Sequence, residues 1–211
     1  MRALIITNGE FSDPSLFQNK IPKVDFVICA DGGIKHVKKL GIKPDLIVGD
    51  FDSVSPDLIT RYEAQGIEIK RYPSEKDYTD TQIAVDEAIE RGASEVIFLG
   101  ALGTRFDHSY ANLMLLYRLL KRNIKGKIMD SHNTITMAHD LVHILGKEGQ
   151  IVSLLPWKGD THIRSTRGLK YPLRDYTLEL DFPLGVSNIL VAPEAVIEIE
   201  KGWLIVIESR D

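Results

Sequence analysis

Along the first 130 residues, short runs of branched apolar residues alternate with stretches whose apolar positions recur every three or four residues. Leu4–Thr7, Phe26–Ala30, Leu46–Val48, Ile67–Lys70, Val96–Leu99 and Lys127–Met129 read as strands, and Ile34–Leu40, Pro56–Gln65, Thr79–Arg91 and Asp107–Lys121 as helices. This alternation predicts a parallel sheet with helices on its faces. The strands are nearly all apolar, as a sheet covered on both sides requires. Two helix starts carry local signals: Ser55-Pro56 pairs an N-cap residue with proline at the first helical position, and Thr79-x-x-Gln82 matches a capping box.

After about residue 131 the pattern changes. Gln150–Leu155, Thr161–Thr166, Tyr176–Leu180, Ala195–Ile199 and Trp203–Ile207 read as strands separated by Gly, Pro and Asp-rich turns, and no segment there has a 3.6-residue period. The expected organisation is an α/β parallel-sheet domain over residues 1–131, followed by a small all-β antiparallel sandwich, or barrel, over 132–211.

Composition narrows the partners. The chain has 211 residues, 44% hydrophobic and 27% charged, with a formal net charge of -4. This balance argues against a nucleic-acid or anionic-membrane surface, which would call for a basic stripe. No apolar run approaches the length of a membrane span. The start, Met1 to Gly9, reads as a first strand rather than a signal peptide. Cys29 is the single cysteine, so no internal disulfide can form, and a cytoplasmic location is expected. Its apolar surroundings make it a packed thiol rather than a nucleophile.

In open parallel sheets, ligands collect at the carboxyl ends of the strands, and several unusual clusters fall there. Leu46-Ile47-Val48-Gly49-Asp50-Phe51-Asp52-Ser53 runs a buried strand into two acids. Side chains alternate along an extended backbone, so Asp50 and Asp52 are expected to point to the same side, roughly 7 Å apart at Cβ. Mg²⁺ carrying substrate phosphates would offset the cost of placing them together. A polar turn with two solvated acids would show the same pattern. Ala30-Asp31-Gly32-Gly33 follows the second strand, where the glycines allow close approach of a ligand; a simple turn is the alternative. Asp77, Asp80 and Gln82 follow the fourth strand, and Asp80 in a first helical turn is equally explained by the helix dipole.

After the fifth strand comes Gly100-x-x-Gly103-x-Arg105-x-Asp107-His108. Its glycines can present backbone N–H groups to phosphates, and Arg105 can grip phosphate oxygens. Asp107 is also a natural N-cap for the next helix. The loop matches neither GxxxxGK[ST] nor GxGxxG. His139-x-x-x-His143 lies in a strand-and-turn region with no third ligand nearby, so a zinc site is not expected. Trp157, Tyr171 and Trp203 are aromatics whose simplest role is packing.

Taken together and in this order, these pieces, with Gly168-Leu169-Lys170-Tyr171 and Gly185-Val186-Ser187-Asn188, closely resemble the thiamine pyrophosphokinase family in its compact bacterial form. The resemblance implies Mg²⁺-dependent transfer of pyrophosphate from ATP to the thiamine hydroxyl, giving thiamine diphosphate and AMP. It implies an α/β ATP-binding catalytic domain, a β-sandwich that binds thiamine and dimerises, and a homodimer with its sites between subunits. Carried over residue by residue, Asp50, Asp52 and Asp80 would hold Mg²⁺ and serve catalysis. Asp31, Gly32, Gln82, Gly100, Gly103, Arg105, Asp107 and His108 would line the ATP pocket, and Ser187 and Asn188 would contact thiamine. Asp52 or Asp80 would accept the hydroxyl proton. Two rivals share the scaffold: another Mg-dependent nucleotide pyrophosphotransferase or phosphohydrolase, and a nucleotide-binding module without catalysis.

Overall fold

A computed structural model describes residues 1–10, 17 and 21–210. The chain forms two compact units, Met1–Ser131 and His132–Asp211.

In the first unit, six strands pair in parallel: β1 (Arg2–Ile6), β2 (Phe26–Ala30), β3 (Leu46–Gly49), β4 (Glu68–Arg71), β5 (Glu95–Leu99) and β6 (Lys125–Met129), in the order β6-β5-β1-β2-β3-β4. The central strands bury almost every residue, whereas β4, at the end of that order, is the mixed segment Glu-Ile-Lys-Arg. The crossovers carry α1 (Ile34–Leu40), α2 (Pro56–Ala64), α3 (Asp80–Glu90) and α4 (Phe106–Leu120). Pro56 opens α2 as expected, although Ser55 makes no side-chain capping bond. Thr79 caps α3, its hydroxyl accepting from Gln82 N–H at 3.1 Å. Asp107 is not the cap of α4. That position falls on Arg105, and Asp107 lies in the first turn.

The second unit is all-β, with two antiparallel sheets whose inward residues share one core, including Leu154, Val206, Ile163 and Ile197. Within this unit β12 (Asn188–Ile189), β9 (Ile151–Pro156), β14 (Leu204–Ser209) and β7 (Asn133–Ala138) line up in that order. Opposite them run β11 (Arg174–Leu178), β10 (Thr161–Arg167), β13 (Glu194–Lys201) and β8 (Leu141–Leu145). β7, β8 and the two-residue β12 are not among the strands expected from the sequence. Asn-Thr-Ile-Thr-Met-Ala in β7 does alternate polar and apolar residues, a strand signal short enough to pass unread. In β8 the ends Leu141 and Leu145 are exposed, so apolar residues there do not mark a buried face.

Candidate active site

The parallel register sets the site. Ala30 pairs with Val48, which carries Asp31 to the level of Gly49 and Asp50 at the carboxyl ends of two neighbouring strands. Gly49 permits the approach: a Cβ there would lie 3.1 Å from Asp31 Cα, and its φ of +155° is one that side chains rarely adopt. Asp31 itself takes a left-handed φ of +43°.

The expected same-side pairing of Asp50 and Asp52 does not occur. Phe51 adopts a φ of +64°, which ends the extended backbone and turns Asp52 into solvent. Its N–H instead donates to Asp50 Oδ1 at 3.2 Å. The acids that converge are Asp31, Asp50 and Asp80, whose nearest oxygens all lie within 4.8 Å of one another. Asp80 reaches them from the start of α3. Asp52 is not among them.

Lys76 sits between two of these acids, its Nζ 3.3 Å from Asp50 Oδ2 and 3.1 Å from Asp80 Oδ1. Burial raises the pKa of Asp80; Lys76 pulls it back and the charges of Asp50 and Asp31 add to the rise. For Lys76, burial lowers the pKa, but its interactions with Asp80 and Asp50 outweigh this, so the ammonium is held more firmly than usual. Even so, Asp31 Oδ1 and Asp80 Oδ1 are buried oxygens that accept no hydrogen bond among the described residues. Oxygen donors left so, on three converging acids of which the ammonium meets two, suit a hard divalent cation.

These acids line a cavity of about 570 Å³. Its far wall comes from the loops after β1 and β5, which run side by side: Gly9 N–H donates to Gly100 O at 2.7 Å and Glu10 N–H to Leu102 O at 2.9 Å. Thr7 Oγ1 also donates to Gly100 O. Gly100 has φ +66°, and a Cβ on it would meet Thr7 O at 2.5 Å, so the glycine serves this crossing. Gly103, expected to offer its N–H to phosphate, here donates it to Ser109 Oγ at 3.2 Å. Asn112, buried on α4, pins the same loop by donating to Ala101 O at 2.7 Å.

Gly100, Gly103, Arg105 and His108 line the cavity, as do Asp31, Asp50 and Asp80; Gly32, Asp52, Gln82 and Asp107 do not. Gly32 is buried in the turn after β2, and Gln82 receives the Thr79 cap. Asp107 is exposed and paired with Arg105, whose Nε and Nη2 lie 3.2 and 2.5 Å from its two oxygens. That hydrogen bonding lowers the Asp107 pKa and raises that of Arg105. Lys76, Asn8, Ser109 and Asn112 were not read as site residues from the sequence. Lys76 had the one usable signal, a cation four residues before Asp80 in an acid-rich loop.

Ser187 and Asn188 lie in the second unit. Ser187 is exposed at φ +58°, and its N–H donates to Ser153 Oγ at 3.0 Å. Asn188 is buried with its amide spent on the backbone: Oδ1 accepts from Tyr171 and Ile189 N–H, and Nδ2 donates to Tyr171 O at 2.7 Å. These bonds fix the turn that carries Ser187. His139 packs edge-on against Trp203, and His143 bonds Glu194 at 2.8 Å. A second donor group, His162 with Asp175 and Glu200, lies on β10, β11 and β13, where the imidazole Nε2 stands 3.0 and 3.4 Å from the two carboxylates.

Residues 17–128 match the thiamin pyrophosphokinase catalytic domain, and residues 132–204 the thiamin pyrophosphokinase vitamin B1 binding domain. A thiamine pyrophosphokinase of Bacillus subtilis is 33% identical over 186 residues, covering 87% of each chain. A crystal structure of a Bacillus subtilis thiamine pyrophosphokinase superposes with a TM-score of 0.90 at 29% identity, covering all of both chains. A Geobacillus thermodenitrificans thiamin pyrophosphokinase gives 0.84 at 27% identity, over 100% of this chain and 98% of the other.

Proposed function

The chain belongs to the thiamine pyrophosphokinase family and has that family's activity, using ATP and thiamine as substrates, and we propose that its first unit performs the transfer in the cavity bounded by Asp31, Asp50 and Asp80. The observation that carries this reading is the convergence of those three carboxylates within 4.8 Å at the carboxyl ends of the sheet. The cavity, at about 570 Å³, has the size of a small-molecule site.

Asp31, Asp50 and Asp80 are the residues that would hold Mg²⁺. When bound there, the ion would neutralise charge on the ATP phosphates. The loop after β5 positions the nucleotide, with Arg105 and His108 exposed at the rim to meet phosphate oxygens. Positioning and electrostatic neutralisation account for most of the catalysis of such transfers. Here the thiamine hydroxyl attacks the β-phosphorus, and AMP departs. Of the two acids expected to take the hydroxyl proton, Asp80 lines the cavity and Asp52 does not.

Ser187, exposed on a turn that Asn188 holds in shape, would contact thiamine, and in a homodimer it would do so across the subunit interface. The cationic ring of thiamine suits an acid-rich cleft. No helix among the described residues is long and apolar enough to cross a membrane, and the single buried Cys29 suits a reducing cytoplasm.

Incubation with ATP, Mg²⁺ and thiamine, followed by chromatography of products, tests the reading. AMP and thiamine diphosphate in equal amounts are expected. ADP, or phosphate released without thiamine, would overturn it.

A further inference from the structure

Lys76 lies in the loop between β4 and α3, yet its side chain is only 11% exposed. A lysine without a task extends into water; this one is turned inward and held. Its ammonium donates to Pro73 O at 3.0 Å and Asp50 Oδ2 at 3.3 Å, and lies 3.1 Å from Asp80 Oδ1. The last contact lacks hydrogen-bond alignment, so Asp80 Oδ1 is neutralised but not saturated. These contacts do not include Asp31, whose buried Oδ1 accepts no hydrogen bond among the described residues.

The two acids Lys76 touches belong to the trio read above as the metal site, and the inference rests on that reading. An ammonium and a divalent cation cannot take the same carboxylate oxygens side by side, because both are positive. A dication on the three carboxylates leaves a single negative charge, so the ammonium is no longer needed to hold them together. The ammonium is then free to pair with another anion. Its flexible four-carbon stem and its anchor at Pro73 O let it turn towards the cavity it already lines.

We infer that Lys76 is a resident counter-ion: its ammonium holds Asp50 and Asp80 together before substrate arrives, yields their oxygens to the divalent cation, and transfers to a phosphate oxygen of the incoming nucleotide. It thereby couples metal loading to polyphosphate binding. Bare metal binds weakly because it must displace the ammonium, while metal with nucleotide binds well because the displaced ammonium gains a partner.

Mn²⁺ binding to the full chain, followed by electron paramagnetic resonance without nucleotide, tests this on wild type, Lys76→Gln, Lys76→Arg and Asp50→Asn. Lys76→Gln is expected to bind Mn²⁺ about tenfold more tightly than wild type, because a competing charge is gone. The same variant is expected to bind a non-hydrolysable ATP analogue with Mg²⁺ about tenfold more weakly, for loss of a phosphate partner. Lys76→Arg keeps the charge and should stay near wild type in the Mn²⁺ titration. Unchanged or weaker Mn²⁺ binding by Lys76→Gln overturns the inference, as does nucleotide affinity unaffected by it. Asp50→Asn separates the two readings: if it binds Mn²⁺ like wild type, the metal site itself is misassigned. If it loses Mn²⁺ while Lys76→Gln gains nothing, only the role of Lys76 fails.

Discussion

Gly49 leaves little room for a side chain beside Asp31: a Cβ at residue 49 would stand 3.1 Å from Asp31 Cα and 3.2 Å from its Cβ. The two residues end adjacent parallel strands, so the space one lacks is the space the other's carboxylate uses to reach Asp50. Gly49→Ala should therefore push Asp31 out of the trio and strain the backbone at φ +155°. We expect a loss of about 1–3 kcal/mol in denaturant unfolding, with turnover falling more than stability explains. An alanine variant with wild-type turnover would show that Asp31 is not needed where the structure puts it.

Removing one acid at a time should rank them. Asp31→Asn, Asp50→Asn and Asp80→Asn each take an oxygen ligand from the proposed metal site, and kcat should fall by about a hundredfold or more. Asp52→Asn should cost far less, because Asp52 faces solvent and meets the site only through its backbone N–H. Steady-state kinetics on the four variants decide it; Asp52→Asn as damaging as Asp50→Asn would restore Asp52 to the site.

Asp80 also makes a pH-dependent demand on stability. Its carboxyl has a pKa raised by burial, so the folded chain holds this proton to higher pH than the unfolded chain does. Stability is then lost as pH rises through the raised value and is fully recovered below the ordinary one. Asp80→Asn mimics the protonated acid. It should melt no lower than wild type at pH 7, and its advantage should shrink as pH falls towards 4 and the wild-type acid takes up its proton. Thermal unfolding at the two pH values checks this, and a variant melting well below wild type at pH 7 would contradict it.

In the second unit, Ser187 and Asn188 should separate cleanly. Ser187→Ala is expected to weaken thiamine binding by about tenfold and leave ATP binding nearly unchanged, as paired titrations would reveal. Asn188→Ala strips a buried amide from three backbone bonds and should cost about 2–4 kcal/mol of stability, read by denaturant unfolding. Equal small effects on stability from both would refute the division of roles.

Cys29 offers a check on the core of the first unit. Burial pushes its thiol far above the usual range, and the side chain is inaccessible. A thiol reagent should label it only as fast as the unit opens. Rapid labelling in native buffer would mean that β2 is not covered as described.

What the sequence determined by itself was local. Runs such as Phe26–Ala30 and Glu95–Leu99, the proline at the start of α2 and the Thr79 cap each declare themselves within a few residues, since propensity and capping act over that range. The acids and glycines at the strand ends were visible for the same reason. Which acids meet was decided only in three dimensions. Asp31 joins Asp50 through the register of β2 on β3, and Asp52 leaves because Phe51 turns left-handed; neither a partner strand's register nor one residue's φ is written in the spacing of carboxylates. Lys76 escaped in the same way, because a lysine's place along the chain does not say which acids its ammonium will meet once the loop is packed.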